Sequence, residues 1–161
     1  MRDAGLDTPT VRALAATDAD AVAALIRRAF ASQSVETDPP PSAMRVAGAD
    51  IRAHLARGGG GGVVDGPLAS ALWIEAEGGL YIGRLAVDPS ARRLGLARAL
   101  LAAAEAEARG RGLPFLWLET RLVLADNRAL FASSGFAEAG VHAHPGYAHP
   151  TFVRMVKELE G

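Results

Sequence analysis

The stretch Arg92-Arg93-Leu94-Gly95-Leu96-Ala97-Arg98 combines the donors that an anion needs with the small residues that let it approach. An apolar run, Leu80–Val87, precedes it and an amphipathic stretch follows, so it reads as a strand-to-helix turn. The first amides of a helix have no intrahelical acceptor and lie at the positive end of its dipole. Those of Arg93 through Ala97 therefore offer a site for a diphosphate. Gly95 permits close backbone approach, Ala97 keeps the turn low, and Arg92, Arg93 and Arg98 add charge-assisted hydrogen bonds. The same residues also fit a plain helix start with a solvated arginine cluster. A second glycine-rich stretch, Gly58–Gly62, lacks the Lys-Ser/Thr ending of a nucleotide loop and reads as a connection or turn.

These residues must be held by a scaffold, and its elements are legible from pattern. Residues 10–14 read as a short opening strand, and Thr17 or Asp18 can cap a helix ending near Ala31, with Val22, Leu25, Ile26 and Phe30 on one face. The three prolines at 39–41 predict an extended, exposed connection before a short helix over 50–57. Strands are expected at Val63–Val64, 69–75 and 80–87, with Asp65-Gly66 and Gly78-Gly79 as antiparallel turns. The next helix should carry Leu94, Ala97, Leu100, Leu101, Ala104 and Ala108 inward, with the pairs Glu105–Arg109 and Glu107–Arg111 outside. A strand over 115–119 completes a unit expected to be parallel and right-handed. A short helix from Asp126 through Phe131, stopped at Gly135, and an antiparallel pair over 136–143 and 151–159 close the chain. The expected fold class is α/β, with a mixed sheet flanked by helices.

A chain of 161 residues, half hydrophobic and 22% charged, suffices for one domain with a real core. Seventeen basic residues nearly cancel eighteen acidic ones, so there is no overall field for nucleic acid or an acidic membrane. The absence of cysteine excludes disulfides, thiol catalysis and thiolate metal sites. No apolar run matches a signal peptide or a membrane span, and the expectation is a cytoplasmic globular protein.

Arg92-Arg93-Leu94-Gly95-Leu96-Ala97 resembles the Gln/Arg-x-x-Gly-x-Gly/Ala turn of the Gcn5-related N-acetyltransferase (GNAT) superfamily. LAVDPSAR before it is similar to that family's strand end, and the segment Asn127–Phe136 is similar to its second cofactor segment, ending in Gly-Phe. The resemblance runs from about Thr10 to Glu158. It implies a single GNAT-like domain over residues 10–159, with residues 1–9 as a short extension, and a sheet splayed between the strands at 80–87 and 115–119. A dinucleotide-binding reading fits less well, because the first fingerprint glycine and an early βαβ unit are missing.

The resemblance implies acetyl-coenzyme A as cosubstrate and a primary amine, of a small molecule or a peptide, as acceptor. It places the pyrophosphate on Arg92–Ala97 with Arg98 nearby. It lays the pantetheine arm along the backbone of Leu85, Ala86 and Val87, against Asn127, Leu130 and Phe131. It aims the Leu85 N–H at the thioester oxygen. Asn127 alternatively serves as a helix-cap residue beside Asp126. Many members have Tyr where this chain has Phe131, which cannot donate a proton to the departing thiolate. Tyr147, in HPGYAHP, is the candidate replacement, its alternative being a packed loop aromatic. Relatives that modify histones have a Glu base near the position of Tyr81, a residue that can order a water, close the pocket or fill the strand face. Glu119, and after it Glu75, are candidates for binding or deprotonating the ammonium, with Thr120 and Arg121 as pocket wall. His142, His144 and His149 are read as structural or surface residues rather than metal ligands. The same resemblance admits two other functions: acetylation of a protein N-terminus or lysine, and a catalytically silent acyl-coenzyme A binding domain. Exposed strand edges could pair two copies into a homodimer.

Overall fold

Continuous burial along the inner strands and a buried stripe on each long helix place one sheet between two apolar layers. The computed structural model describes residues 9–33 and 35–160, so the proposed extension lies almost wholly outside the described residues. Seven strands run in the order β1-β2-β3-β4-β5-β7-β6: β1 (Arg12–Ala13), β2 (Gly60–Val64), β3 (Ala69–Ala76), β4 (Gly79–Val87), β5 (Phe115–Arg121), β6 (Ala137–His142) and β7 (Phe152–Glu158). All neighbours are antiparallel except β4 and β5. Helices α1 (Ala19–Ala31) and α2 (Gly48–Ala56) pack on one face, where Val22, Leu25, Ile26 and Ile51 meet Val63, Leu72 and Ala86. Helix α3 (Leu96–Gly110) covers the other, burying Leu100, Leu101, Ala104 and Ala108 against Leu80, Leu116 and Met155. Helix α4 (Ala125–Ser133) adds Phe131 to that second layer.

The strand–helix–strand unit around α3 is parallel, as expected. Its outer face carries the i,i+4 pairs Glu105–Arg109 and Glu107–Arg111, at 3.0 and 2.6 Å. One position on its inner face differs from the pattern reading. Leu94 precedes the helix and is 62% exposed, whereas Leu96 points inward. The turn at Gly95 shifts the start of the helical stripe by two residues.

The larger correction concerns the glycine run. Gly60–Gly62 form three of the five residues of β2 rather than a connection. A Cβ on Gly61 would lie 2.5 Å from the Ala71 carbonyl oxygen, and one on Gly62 would lie 2.7 Å from a Val11 methyl. The strand slot is narrow, and only glycine fits it. The β3–β4 hairpin also turns one residue earlier than expected, with Glu77 and Gly78 both at positive φ and Gly79 already in β4. Asp18 precedes α1, but its carboxylate turns back to the Ala15 N–H and to Arg12 rather than capping the helix. Asp126 lies inside the first turn of α4. Gly135, at φ 98°, ends that segment, and the Phe136 N–H donates back to the Phe131 carbonyl.

Candidate active site

Two irregularities in β4 open the sheet. Its pairing with β3 steps from Ser70–Ala86 to Leu72–Gly83, so β4 spends one extra residue in a bulge. Arg84 sits there at φ 54°, a left-handed conformation that costs a side-chain-bearing residue roughly 1–2 kcal/mol. On its other edge β4 pairs with β5 only at Leu80–Leu116 and Tyr81–Trp117. Beyond those two pairs the strands diverge, as the expected splay requires.

The turn after β4 prepares the neighbouring helix end. Arg93 and Gly95 take positive φ of 67° and 76°, and the helical ladder opens with the Ala99 N–H donating to the Gly95 carbonyl. The amides ahead of Ala99 are thus left without intrahelical acceptors. Space above Gly95 is open, with no atom within 4 Å of where a Cβ would stand. Arg92 reaches across to the Ser32 hydroxyl at 2.5 Å, and Arg98 ties α3 to α4 through Ser133 at 2.8 Å. Leu96 can contribute only its backbone, because its side chain belongs to the core.

Two concavities meet at the opening. The smaller, about 400 Å³, is lined by Leu85, Ala86 and Val87 of β4, by Arg92 and Ala97, and by Asn127, Leu130 and Phe131 of α4. Thus eight of the thirteen residues expected at a cofactor share one wall system, while Arg93, Leu94, Gly95, Leu96 and Arg98 lie on the turn and helix beside it. The larger, about 700 Å³, is lined on the sheet side by Tyr81, Arg84, Leu85, Glu119, Thr120 and Arg121. Leu85, Asn127 and Phe131 border both. The Phe131 ring is buried and packs edge-on to Phe136 at 6.1 Å.

Within the larger concavity, Tyr81 stacks on Trp117 with ring centroids 4.5 Å apart. Burial, and then the charge of Glu119, push its hydroxyl above the usual tyrosine range, so it stays protonated. Glu119 is paired with Arg154 at 3.2 Å, and Arg154 also binds Glu77 at 2.9 Å while lying over the Trp117 ring at 4.1 Å. The side chains of Glu119 and Arg154 are only about 30% exposed, which makes this pairing firmer than a surface ion pair. Arg121 donates to the Pro39 carbonyl at 2.5 Å, and Arg84 to the Ser42 hydroxyl at 3.0 Å. Both bonds fasten the proline-rich connection over the cleft.

Some candidates fall elsewhere. Tyr147 lines neither concavity; its hydroxyl donates to Asp38 at 2.5 Å, a bond that raises its pKa. The loop therefore uses Tyr147 to hold the connection instead of presenting a free proton donor. Glu75 faces away from the cleft and pairs with Arg111 at 3.4 Å. His142 and His144 both pack on Phe152, at 5.5 and 4.9 Å, and His149 stands beside Tyr147. His144 borders the cleft, bonded to the Thr151 hydroxyl, and burial followed by the charge of Arg121 favours its neutral form. Sequence reading missed Asp38, Arg84, Arg154 and the cleft residues Phe30, near the end of α1, and Gln33, just beyond it. Of these only Arg154 left a trace, as the outward-facing charge in the alternating run FVRMVKE.

Residues 22–136 match the model of the Acetyltransferase (GNAT) family. An IAA acetyltransferase of Azospirillum brasilense is 41% identical over 92 residues, covering 56% of this chain and 58% of that protein. The chain spans between 28 and 58% of the length of the curated relatives it matches. The crystal structure of the ribosomal-protein-S18-alanine N-acetyltransferase from Escherichia coli superimposes with a TM-score of 0.68 at 26% identity, over 94% of this chain and 96% of that one. Salmonella typhimurium yncA, solved with its cofactor acetyl-CoA, shares the fold, with a TM-score of 0.70 at 18% identity over 96% of this chain and 95% of that one.

Proposed function

This chain belongs to the acetyltransferase (GNAT) family, and from that premise we propose that it transfers the acetyl group of acetyl-coenzyme A to a primary amine of a small molecule or peptide. The observation that carries the reading is the position of Leu85. It borders both concavities, on a bulged strand that has parted from its neighbour.

The residues present fit the cosubstrate. The open space above Gly95 and the amides ahead of Ala99 suit a bulky diphosphate, with Arg92, Arg93 and Arg98 supplying positive charge. The diverging edge of Leu85–Val87 suits an extended arm that hydrogen-bonds like a strand, flanked by Asn127, Leu130 and Phe131. Acetyl-coenzyme A supplies, when bound, an already activated carbonyl and a good leaving group. The protein then needs to orient the amine and manage charge. The Leu85 N–H holds the carbonyl oxygen. Glu119, kept close by Arg154, receives the proton of the incoming ammonium directly or through a water. Tyr81 closes the cleft beside it. Phe131 packs the arm, and solvent returns a proton to the leaving sulfur, since Tyr147 is occupied with Asp38. Residues 10–159 act here as one domain, in the cytoplasm.

A protein N-terminus is the second reading, supported by the likeness to the S18-alanine N-acetyltransferase. Thiol release from acetyl-coenzyme A across amines and N-terminal peptides, beside a coenzyme A binding titration, tests both. Tight binding with no thiol release on any acceptor would leave only a silent binding domain. No binding would remove the reading altogether.

A further inference from the structure

The larger concavity carries a charge pattern that acetyl transfer alone does not require. Glu119 and Arg121 stand two residues apart on β5, so the strand's alternation sends both side chains to one face, and both line the cleft. Arg84 lines it from the bulge of β4. The two carboxylates of this lining are already engaged: Asp50 accepts from the Ala47 N–H at 2.8 Å, and Glu119 is paired with Arg154. The lining's three guanidiniums, Arg57, Arg84 and Arg121, make no ion pair among the described residues, and the last two stand with Glu119 on the sheet side. Among the described residues Arg121 and Arg84 bond only to neutral oxygens, of Pro39 and Ser42, leaving most of their five donors unused. Burial works against the charge of Arg121, the nearby Tyr147 and Asp38 offset it only in part, and an incoming anion would relieve the rest. The hydroxyl oxygen of Thr37, on the same cleft, is buried and has no hydrogen-bond partner.

We propose that the acceptor is a zwitterionic amine, a free α-amino acid or close relative, whose carboxylate is taken by Arg121 and Arg84 while its amino group lies at Glu119. The spacing suits it. Residues two apart on a strand are separated by about 6.7 Å. An amine and a carboxylate joined through one carbon, with a hydrogen bond of about 2.8 Å at each end, fill that span in a bent arrangement. A peptide N-terminus has no carboxylate so close to its amine, and a simple amine has none at all. This inference rests on the acetyl-transfer reading. In the step, an ammonium proton passes to Glu119 or water, the nitrogen–acyl bond forms, the nitrogen gives up a second proton to solvent, the carbon–sulfur bond breaks, and the thiolate takes a proton from solvent.

The test is thiol release by the full chain with acetyl-coenzyme A and the twenty free amino acids, each beside its own amide and, as further acceptors, simple amines and short peptides. The best acid should exceed its amide in kcat/KM by about 10-fold or more, the usual worth of a bidentate charge-assisted contact. R121Q should cut that acid-to-amide ratio about 10-fold, and R121K should keep part of it, with coenzyme A titration reporting that both variants are folded. Amides, amines or peptides used as well as the acids, or an unchanged ratio in R121Q, would overturn the carboxylate site and leave acetyl transfer standing. Coenzyme A binding without thiol release on any acceptor would overturn both.

Discussion

Replacing Gly95 with glutamate places a carboxylate where the site is argued to hold a diphosphate. The new Cβ meets nothing within 4 Å, so the protein itself raises no steric objection. The backbone does, because Gly95 sits at φ 76°, which costs a side-chain-bearing residue about 1–2 kcal/mol of stability. Gly95→Ala carries that same backbone cost and no charge, so it serves as the control. The electrostatic part follows from Coulomb's law. A carboxylate about 6 Å from a diphosphate of roughly two nearby charges is opposed by about 1.4 kcal/mol in water and about 5.5 kcal/mol at an effective dielectric of 20. Arg92 and Arg93 offset some of this, which brings the expected penalty to about 2–3 kcal/mol. Coenzyme A should therefore bind G95E about 30- to 150-fold more weakly than G95A. Calorimetric titration of parent and both variants reads this directly. Raising salt from about 0.05 to about 0.5 M should shrink the gap, since exposed charges are screened over a few ångströms. Equal affinities for G95A and G95E would refute the assignment of the diphosphate to this turn.

Tyr147→Phe removes the bond to Asp38 but no proton donor from the cleft, so maximal turnover should stay within about 3-fold of the parent while the acceptor KM rises. A drop in steady-state turnover by about 10-fold or more would restore Tyr147 as the acid. The pair Arg12–Asp18 lowers the Asp18 pKa to about 2, through the hydrogen bond from Arg12, so its stabilisation is complete above the unfolded value near 3.9 and disappears as pH falls through about 2. Asp18→Asn should cost up to about 1 kcal/mol in urea melts near pH ~7, and only a small part of that near pH ~2. Gly61→Ala should destabilise the protein by about 1–3 kcal/mol in the same assay, because its Cβ would be driven onto the Ala71 carbonyl. An unaltered midpoint would mean the slot can widen.

Local signals carried the parts of this structure that depend on near neighbours. The turn at Arg92–Ala97, the outer ion pairs of α3 and the Gly135–Phe136 stop each lie within a few residues of sequence, and each formed where its pattern placed it. Gly60–Gly62 formed a strand without any strand pattern, because the crowding that demands glycine comes from Val11, Leu14 and Ala71, which the run itself does not reveal. Tyr147 found its partner 109 residues away, at Asp38. Arg154 meets Glu77 and Trp117 only because β7 lies beside β5. The lining of an open cleft is set by such distant pairings, so the local form of the Arg92–Ala97 turn was legible and the lining of the larger concavity largely was not.

The short contact between β4 and β5 also leaves the sheet closed at one end and open at the other, while α3 packs across both halves. Two residue pairs join a four-stranded half to a three-stranded half. Near that closed end the halves are stitched by the Trp117 indole N–H on the Ala76 carbonyl, at 2.9 Å, and by Arg154 on Glu77. The sheet is thus built like a clothes-peg, sprung at one end and free at the other. Anything that fills the open jaws bridges the two free strand ends. In amide exchange, the protons of Leu85–Val87 and Glu119–Arg121 should then gain protection together on coenzyme A binding, while those of Leu80 and Leu116 change little.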